Sequence, residues 1–274
     1  MPEHYEVKRM AQYLKDHGIL GQQLIQTAFK NKGERILKNT FSMDILNGAI
    51  LKDIKVQAKY TGFEFDVATV VMHYRFTGIP HLRGVSYGNR LQTIFSLPIK
   101  YSNPDHCRFS WQFNSHVLDY YDTRCLSTMT IHPGLAFKQI QQIMMLPDDI
   151  SQFSPKTYKQ FKKETKNRKK QLKLWLLDQT IAPSGIGNYL ACEILAHAKL
   201  DPFMLIHRVT KPQFEQLMVA IDHVSRLASE FSNYDWFKVF NRETCGFCGG
   251  SISKKRLPVG SQTTHFCMLC QTQL

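Results

Sequence analysis

Two closely spaced cysteine pairs near the C-terminus constrain this 274-residue chain more than any other feature. Two residues separate Cys245 from Cys248 and Cys267 from Cys270, and 18 residues lie between the pairs. Pairs at this separation can present four thiolates in the tetrahedron that one structural zinc ion requires. Because all four ligands would be protein atoms, we expect the zinc to hold the fold and to bind no substrate. The alternative is a bare zinc ribbon of unrelated use.

Basic residues follow the first cysteine pair and predict a β-hairpin that the metal fixes at its base. Lys254, Lys255 and Arg256 stand there, before a turn-forming stretch. The whole chain carries 35 Lys and Arg against 22 Asp and Glu, a formal charge of +13. This excess indicates a polyanionic partner, with nucleic acid first and an anionic membrane surface second.

The segment from Lys156 to Lys173 concentrates this charge, since nine of its residues are basic and only Glu164 is acidic. It predicts either a solvated helix face or a set of phosphate contacts, and we favour the phosphate contacts. No apolar run is long enough to span a bilayer, and the N-terminus has no hydrophobic stretch of signal-peptide type. We therefore expect an intracellular protein, in the cytoplasm or nucleoid of a bacterium or in the nucleus of a eukaryote.

Hydrophobic periodicity divides the chain into regions of different secondary structure. Residues 3–16 have the spacing of an amphipathic helix, and residues 36–132 form short runs in which apolar and polar residues alternate. Helical periodicity then dominates to about residue 230. We expect an α+β protein with several domains, arranged as an N-terminal antiparallel β-sandwich or barrel with an opening helix (1–133), a linker (134–150), a mainly helical domain (151–238) and a four-cysteine module (239–274).

Three separated stretches resemble the formamidopyrimidine-DNA glycosylase and endonuclease VIII (Fpg/Nei) family. They are the opening MPEHYEV, the stretch LLDQTIAPSGIGNYLACEILAHAKLDP at 176–202, and the cysteine module that ends in THFCMLCQ. Their order follows the family over nearly the whole chain. The resemblance implies an N-terminal β-sandwich, a helix–two-turn–helix DNA-binding domain and a zinc-finger β-hairpin.

The resemblance also implies a catalytic terminus. Pro2, exposed by removal of the initiator Met, matches the family nucleophile, and Glu3 matches the acid that protonates the deoxyribose ring oxygen. Glu6 matches a carboxylate that positions the terminus, and Lys59 matches a strand lysine that holds the phosphate beside the lesion. Outside the family, Pro2 and Glu3 are ordinary residues for a helix start, and Lys59 is an exposed strand lysine.

A glycine-containing turn matches the family's site for the DNA backbone. Gly185 and Gly187 allow a phosphate to approach closely, and Asn188 begins the next helix, where backbone N–H groups and its amide can meet that phosphate. Capping of the helix by Asn188 is the alternative interpretation.

Three other residues fall on family positions that fill the gap left by a flipped nucleotide. Phe76 lies in MHYRFTG, and Arg124 and Leu126 lie in YYDTRCLS. Arg124 would pair with the orphaned base. The alternative places Phe76 and Leu126 in the hydrophobic core.

The sequence departs from the family at one position between the two cysteine pairs, where an arginine usually binds the phosphates that flank the lesion. Gln262 stands in that place, and a neutral amide lacks the charge-assisted contact of a guanidinium. We therefore hypothesise weak or altered activity, with Arg256 as a substitute. The chain also lacks the glycine-rich insert before the finger found in relatives acting on 8-oxoguanine, so we expect a different lesion class. His4-Tyr5 replaces the usual Leu-Pro.

These patterns predict a monomeric base-excision-repair enzyme that acts on double-stranded DNA with damaged bases or abasic sites. It would excise the base as a glycosylase and cut the strand as an AP lyase, through a Schiff base on Pro2. One alternative is a protein on the same scaffold that binds damaged DNA with little or no catalysis. Another is a zinc-ribbon nucleic-acid factor from outside the family, in which Pro2 is incidental.

Overall fold

The protein is described by a computed structural model, in which the chain divides into two compact units, Met1–Leu146 and Pro147–Leu274. The division lies inside the segment 134–150, which the sequence predicts as a linker. The finer domain limits drawn from the sequence stay predictions. The structure describes residues 2–88, 103–154, 157–180, 183–256 and 262–271.

The described residues of the first unit form an α-helix, eight strands and a second, shorter α-helix. In chain order these are α1 (His4–Asp16), β1 (Leu24–Phe29), β2 (Leu51–Gln57), β3 (Tyr60–Phe65), β4 (Ala68–His73), β5 (Ile79–Leu82), β6 (Cys107–Phe113), β7 (Val117–Tyr121), β8 (Thr128–Pro133) and α2 (Phe137–Ile143). The strands form two antiparallel sheets, in the orders β1-β6-β7-β5 and β2-β3-β4-β8.

One hydrophobic core joins the two sheets and the opening helix. Trp111 of β6 is completely buried, and its ring centroid lies 5.3 Å from that of Phe63 and 5.6 Å from that of Phe65, both on β3. Alternating apolar residues of both sheets therefore face each other, as in a sandwich. Val7 and Met10 of α1 belong to the same core. The predicted sandwich with an opening helix is confirmed.

Helix α2 occupies part of the predicted linker and packs against the second sheet. Its residues Phe137 and Ile140 are buried in a cluster with Val71 of β4. A Cβ atom at Gly62 of β3 would lie 2.4 Å from the Phe137 ring, so only glycine allows the helix to approach this strand. A short apolar segment between proline-containing turns does not reveal this contact, because its partner lies about 70 residues earlier in the chain.

In the part of the second unit that the structure describes, four α-helices and one hairpin are present: α3 (Tyr158–Thr165), α4 (Leu172–Leu176), α5 (Asn188–His197), α6 (Lys211–Glu230), β9 (Ile252–Arg256) and β10 (Thr263–Cys267). Strands β9 and β10 pair antiparallel, with Thr263 opposite Arg256 and Cys267 opposite Ile252. The tip of this hairpin, residues 257–261, lies outside the described residues. Among the described residues, no helix has the length and apolarity needed to cross a membrane.

A buried carboxylate joins the cysteine module to the helices. Glu193 of α5 is completely buried and accepts the backbone N–H groups of Lys238, Val239 and Phe240 at 2.7, 3.0 and 2.7 Å. Cys192 of the same helix packs in one apolar cluster with two of the four module cysteines. The module is thus part of the core of the second unit.

Candidate functional site

The start of α1 forms a buried cluster of charged groups in the first unit. Pro2 is buried, and the residues Glu3, Glu6 and Lys59 are only 2, 2 and 5% exposed. The backbone N–H of Glu3 donates to the Glu6 carboxylate at 2.6 Å. Glu6 therefore satisfies one of the unpaired N–H groups that every helix start presents, and it fixes the direction in which Pro2 enters the helix.

Lys59 lies in the two-residue turn between β2 and β3, and not on a strand as the sequence suggested. Ala58, the first residue of the turn, has a φ of 55°, which gives the tight reversal that this hairpin needs. The Nδ1 atom of His4 lies 2.9 Å from the Ala58 carbonyl oxygen. Since a carbonyl only accepts, Nδ1–H is the donor, and His4 links the start of α1 to the Lys59 turn.

The surroundings of Lys59 change its acidity. Burial lowers the pKa of its ammonium from 10.5 to about 8, while the carboxylates of Glu3 and Glu6 act in the opposite direction. The balance keeps Lys59 charged at neutral pH in a nearly dry position. A cation held in this way can bind an anion strongly, because little water competes with it.

His73 at the end of β4 belongs to the same cluster, although the sequence did not single it out. Burial, together with the positive charges of Arg75 and Lys59, lowers the pKa of its imidazole from 6.5 to about 3. The imidazole is therefore neutral at physiological pH. Its Nδ1 accepts the backbone N–H of Arg75 at 3.2 Å, so Nε2 carries the proton. Its place in the cluster follows from the pairing of β4 with β3, which sets His73 opposite Tyr60, the residue after Lys59, and no local sequence pattern indicates this register.

The three predicted gap-filling residues lie on two loops of the first unit. Phe76 is in the β4–β5 loop, and Arg124 and Leu126 are in the β7–β8 loop. Phe76 and Leu126 are 42 and 48% exposed, so the core alternative is wrong for both. The Arg124 guanidinium carbon lies 5.7 Å from the centre of the Phe76 ring. We call the segments 74–78 and 122–127 the wedge loops.

In the second unit, Gly185 and Gly187 shape the turn before α5 as the sequence predicts. Gly185 has a φ of 90°, a conformation that favours glycine. The Gln179 side chain holds the turn, since it accepts the Gly185 N–H and donates to the Ile186 carbonyl, each at 2.9 Å. Asn188 is the first helical residue after Gly187 and makes no side-chain cap. The capping alternative is therefore wrong.

The Asn188 amide is oriented by two partners within the second unit. Its Nδ2 donates to the Thr263 carbonyl at 3.0 Å, and its Oδ1 accepts from the ammonium of Lys173 at 2.7 Å. Lys173 is completely buried and also donates to the Thr264 hydroxyl at 2.9 Å. One Nδ2 hydrogen of Asn188 remains for a ligand. Sequence reasoning placed Lys173 among the surface cations because periodicity alone does not separate a buried lysine from an exposed one.

Other cations of the 156–173 segment also have partners. Lys170 pairs with Asp178 at 2.5 Å, and Lys162 donates to the His207 carbonyl at 2.7 Å. Part of the counter-charge that such a dense basic segment needs thus comes from Asp178, two residues after the end of α4. The phosphate contacts predicted for this segment stay a prediction.

The four cysteines of the module come together as predicted. Their sulfur atoms all lie within 4.8 Å of one another, with 3.9 Å between those of Cys245 and Cys270 and 3.5 Å between those of Cys248 and Cys267. A tetrahedron with metal–sulfur bonds of ~2.3 Å has edges of about 3.8 Å. The Phe247 N–H also points to the Cys245 sulfur at 3.4 Å, as is typical around a thiolate ligand. The cluster therefore fits a tetrahedral metal ion.

Gln262 and Arg256 lie near the described ends of the hairpin. The Oε1 atom of Gln262 is buried and accepts no hydrogen bond from the described residues. Arg256 is exposed and pairs with Thr263. Because side chains alternate along a strand, Arg256 extends from the opposite face to Gln262, and Lys255 extends from the same face. The Lys255 ammonium lies 4.9 Å from the Phe203 ring centre.

Family comparisons match both units. A model of the formamidopyrimidine-DNA glycosylase N-terminal domain matches residues 1–129, and a model of the H2TH domain of the same glycosylases matches residues 147–234. The chain belongs to the formamidopyrimidine-DNA glycosylase (Fpg/Nei) family. This confirms the membership predicted from the three sequence stretches.

Individual Fpg relatives and structures match over most or all of the length. The formamidopyrimidine-DNA glycosylase of Ureaplasma parvum is 28% identical, over 99% of this chain and 100% of its own. That of Paraburkholderia phytofirmans is 26% identical, over 82 and 84%. The crystal structure of the Lactococcus lactis enzyme bound to DNA with an abasic site has a TM-score of 0.81 at 22% identity, covering 99 and 100% of the two chains. The predicted Fpg fold class is confirmed.

In this Fpg-family chain, the connection between α6 and the four-cysteine module is short. Residues 231–244 contain no glycine, and Phe237 and Val239 within them are buried. The Phe237 ring packs 5.2 Å from that of Tyr189 on α5. The connection is thus a packed segment, and the glycine-rich insert is absent as the sequence indicates.

Proposed function

We propose that this protein is a base-excision-repair DNA glycosylase with AP lyase activity, and that Pro2 is its nucleophile. The observation that carries the proposal is the buried cluster at the start of α1. There Glu3, Glu6 and Lys59 surround the residue that becomes the N-terminus when Met1 is removed. A structural helix start needs one acidic cap, but it does not need a second buried carboxylate and a buried lysine.

In this mechanism the Pro2 amine attacks C1′ of the damaged nucleotide while Glu3 protonates the ring oxygen. The C1′–base bond breaks, and the base departs with the bonding electrons. The attached nitrogen then loses its proton and the C1′–O4′ bond breaks, so that O4′ leaves as the hydroxyl protonated by Glu3 and C1′ becomes the iminium carbon. The resulting iminium acidifies the C2′ proton, whose loss drives elimination of the 3′ phosphate and cuts the strand. A terminal α-amine titrates near ~7.7–8.0, so part of it is unprotonated at neutral pH. The positive charge of Lys59 disfavours protonation of this amine.

Phosphate binding is proposed for residues of both units. Lys59 carries a charge in a nearly dry position, and the neutral His73 has Nε2–H as a donor, so both suit a phosphate beside the reacting sugar. In the second unit, the Gly185–Gly187 turn and the remaining Nδ2 hydrogen of Asn188 suit a phosphate further along the backbone. The relatives' DNA complexes support double-stranded DNA with damaged or abasic sites as the substrate. Because this substrate is genomic DNA, we propose that the protein acts in the nucleoid of a bacterium or the nucleus of a eukaryote.

The metal of the four-cysteine cluster is proposed to be one zinc ion. Four thiolates at these separations suit zinc, and the ion would supply no catalytic chemistry because no ligand position remains for water. Its role would be to set the base of the β9–β10 hairpin, and so the position of the Thr263 carbonyl that orients Asn188.

We propose that 8-oxoguanine is not the preferred lesion of this protein. Its preferred substrates would be oxidised pyrimidines, other lesions or abasic sites. The packed connection 231–244 offers no long loop to close over a flipped purine. The test is single-turnover excision from matched duplexes that contain 8-oxoguanine or an oxidised pyrimidine. Faster excision of 8-oxoguanine would contradict this part of the proposal.

Borohydride trapping tests the central proposal. The purified protein, with Met1 removed and the mature terminus verified by mass spectrometry, is incubated with an abasic-site duplex and sodium borohydride. A covalent adduct is expected with the wild type and not with Pro2→Gly. Lys55→Arg, an exposed strand position paired with Glu64, is the control and should trap normally. Tight, salt-dependent binding without any adduct near neutral pH would favour the binding-only alternative instead.

A further inference from the structure

Five hydrogen bonds converge on the carboxylate of Asp122, which is completely buried between the wedge loops. Its Oδ2 accepts the N–H groups of Leu126 and Ser127, both at 2.8 Å, and the Ser127 hydroxyl at 2.7 Å. Its Oδ1 accepts the Arg124 N–H at 3.1 Å and the Thr77 hydroxyl. Thr77 belongs to one wedge loop and the other donors to the second, so this carboxylate joins the two loops.

We propose that Asp122 is the positioning residue of the wedge, which holds Phe76, Arg124 and Leu126 in their projecting arrangement before DNA binds. The inference rests on the proposed function, in which these three side chains fill the gap left by a flipped nucleotide. Asp122 itself touches no DNA. Its carboxylate fixes the backbone of the loop that carries Arg124 and Leu126. Through Thr77 it also fixes the loop that carries Phe76.

The backbone of both loops needs such a restraint. Arg75 and Cys125, which directly precede Phe76 and Leu126, have φ angles of 51 and 50°. This left-handed conformation is unfavourable for residues with side chains and persists only where the surroundings impose it. Without the carboxylate, both residues can return to ordinary conformations, and the wedge side chains that follow them would turn away.

The bases of the loops are fixed independently, so the effect of Asp122 is confined to their tips. A Cβ at Gly78 would lie 2.0 Å from the Tyr120 hydroxyl oxygen, so the end of the first loop is tightly packed. The Arg108 guanidinium donates to the Asp122 and Asn31 carbonyls, each at 2.6 Å. These contacts do not involve the Asp122 carboxylate and should survive its substitution.

Only a carboxylate suits this position. All five partners are donors, and an ionised carboxylate is purely an acceptor with about four lone-pair sites. In Asp122→Asn, one oxygen becomes an NH2 group, and whichever oxygen is replaced, the NH2 group faces at least one backbone N–H, which cannot accept a hydrogen bond. The substitution keeps the shape of the side chain, but on one side of the network it replaces a hydrogen bond with a repulsive contact between two donors.

The test uses a duplex with an uncleavable tetrahydrofuran abasic analogue opposite 2-aminopurine, whose fluorescence reports how the wedge stacks on the orphaned base. Wild-type protein is expected to change the fluorescence on binding. Asp122→Asn should bind the duplex but lose most of this change, as should the double variant Phe76→Ala/Leu126→Ala. Thr77→Val, which removes the hydrogen bond from the first loop to the Asp122 carboxylate and leaves its other four donors in place, is a milder variant and should lose part of it.

Asp119→Asn is the matched control. Asp119 lies three residues earlier on β7 and is equally a buried carboxylate in a hydrogen-bond network, but its partners are Arg83 and Ser110 and not the wedge loops. It should keep the fluorescence change even if its melting temperature falls. In excision from duplex DNA, Asp122→Asn should be about tenfold slower or more. When Asp122→Asn is added to Phe76→Ala/Leu126→Ala, it should slow excision much less, because the double variant already lacks two of the side chains that Asp122 positions.

The fluorescence and trapping results separate the two proposals. A missing Pro2 adduct with an intact, Asp122-dependent fluorescence change would refute the proposed chemistry and leave this inference standing. An unchanged fluorescence response in both Asp122→Asn and Thr77→Val would overturn the inference, whatever the activity. The same holds if the wild type binds without any fluorescence response, or if Asp119→Asn loses the response as fully as Asp122→Asn.

Discussion

The acidity of Lys59 gives the sharpest prediction about the reaction. With a pKa of about 8, this ammonium is largely charged at pH 7 and only about one tenth charged at pH 9. If the charged form binds the phosphate, the single-turnover lyase rate should fall about tenfold per pH unit above 8. The Pro2 amine should give a rising limb near ~7.7–8.0, so the profile should be a narrow bell.

Lys59→Arg distinguishes the rising limb of the pH–rate profile from its alkaline decline, because a guanidinium stays charged throughout the pH range of the assay. Its profile should keep the rising limb and lose the alkaline decline, so the ratio of variant to wild-type rates should grow about fivefold between pH 8 and 9. Lys55→Arg, on the neighbouring strand β2, should keep the wild-type shape. An alkaline decline in Lys59→Arg equal to that of the wild type would refute the assignment of that limb to Lys59.

Stability offers a readout of the same group without DNA. Below about pH 8 Lys59 is charged in both folded and unfolded states, and its burial disfavours the folded state. Between about 8 and 10.5 only the unfolded state keeps the proton, so the free energy of unfolding should rise with pH there, by about 3 kcal/mol in all. Lys59→Met should abolish this rise in urea denaturation curves. A rise of equal size in Lys59→Met would show that another group causes it.

Three further predictions concern the second unit. Glu193→Gln should lower the free energy of unfolding by about 2 kcal/mol in urea denaturation, because an NH2 group would then face buried N–H donors; an unchanged midpoint would contradict this. Removal of the metal by a chelator should abolish binding to abasic duplex DNA, with recovery on addition of zinc; full affinity without metal would contradict a structural role. Gln262→Arg should steepen the dependence of log affinity on log salt concentration by about 0.9, and an unchanged slope would show that this position meets no phosphate.

The features that the sequence predicted best depend on residues close together in the chain. The cysteine pairs, the Gly185–Gly187 turn and the alternation of the strands all have local patterns whose geometry follows from spacing. The exposed wedge residues Phe76, Arg124 and Leu126 were identified only by resemblance, because a lone aromatic or leucine gives no sign of its exposure.

Long-range partners explain most of what the sequence did not reveal. Lys173 and Asp122 carry much of the local organisation, yet each was indistinguishable from a surface charge in the sequence. The Lys173 ammonium is satisfied by Asn188 and by Thr264, which lies 91 positions away. Asp122 depends on Thr77, 45 positions away. A charged residue can be buried only if such partners converge, and that convergence is a property of the fold.

The opening helix combines stability and chemistry in the same residues, so a single substitution there cannot separate them. Glu6 accepts the Glu3 N–H at 2.6 Å and also helps to keep Lys59 charged. Replacing Glu6 would therefore weaken the helix start and lower the pKa of Lys59 together. The positive end of the α1 dipole meanwhile disfavours protonation of an amine at Pro2. One carboxylate thus serves both the capped helix and the charge of Lys59, and we expect the proposed activity to be lost at this position sooner than the fold.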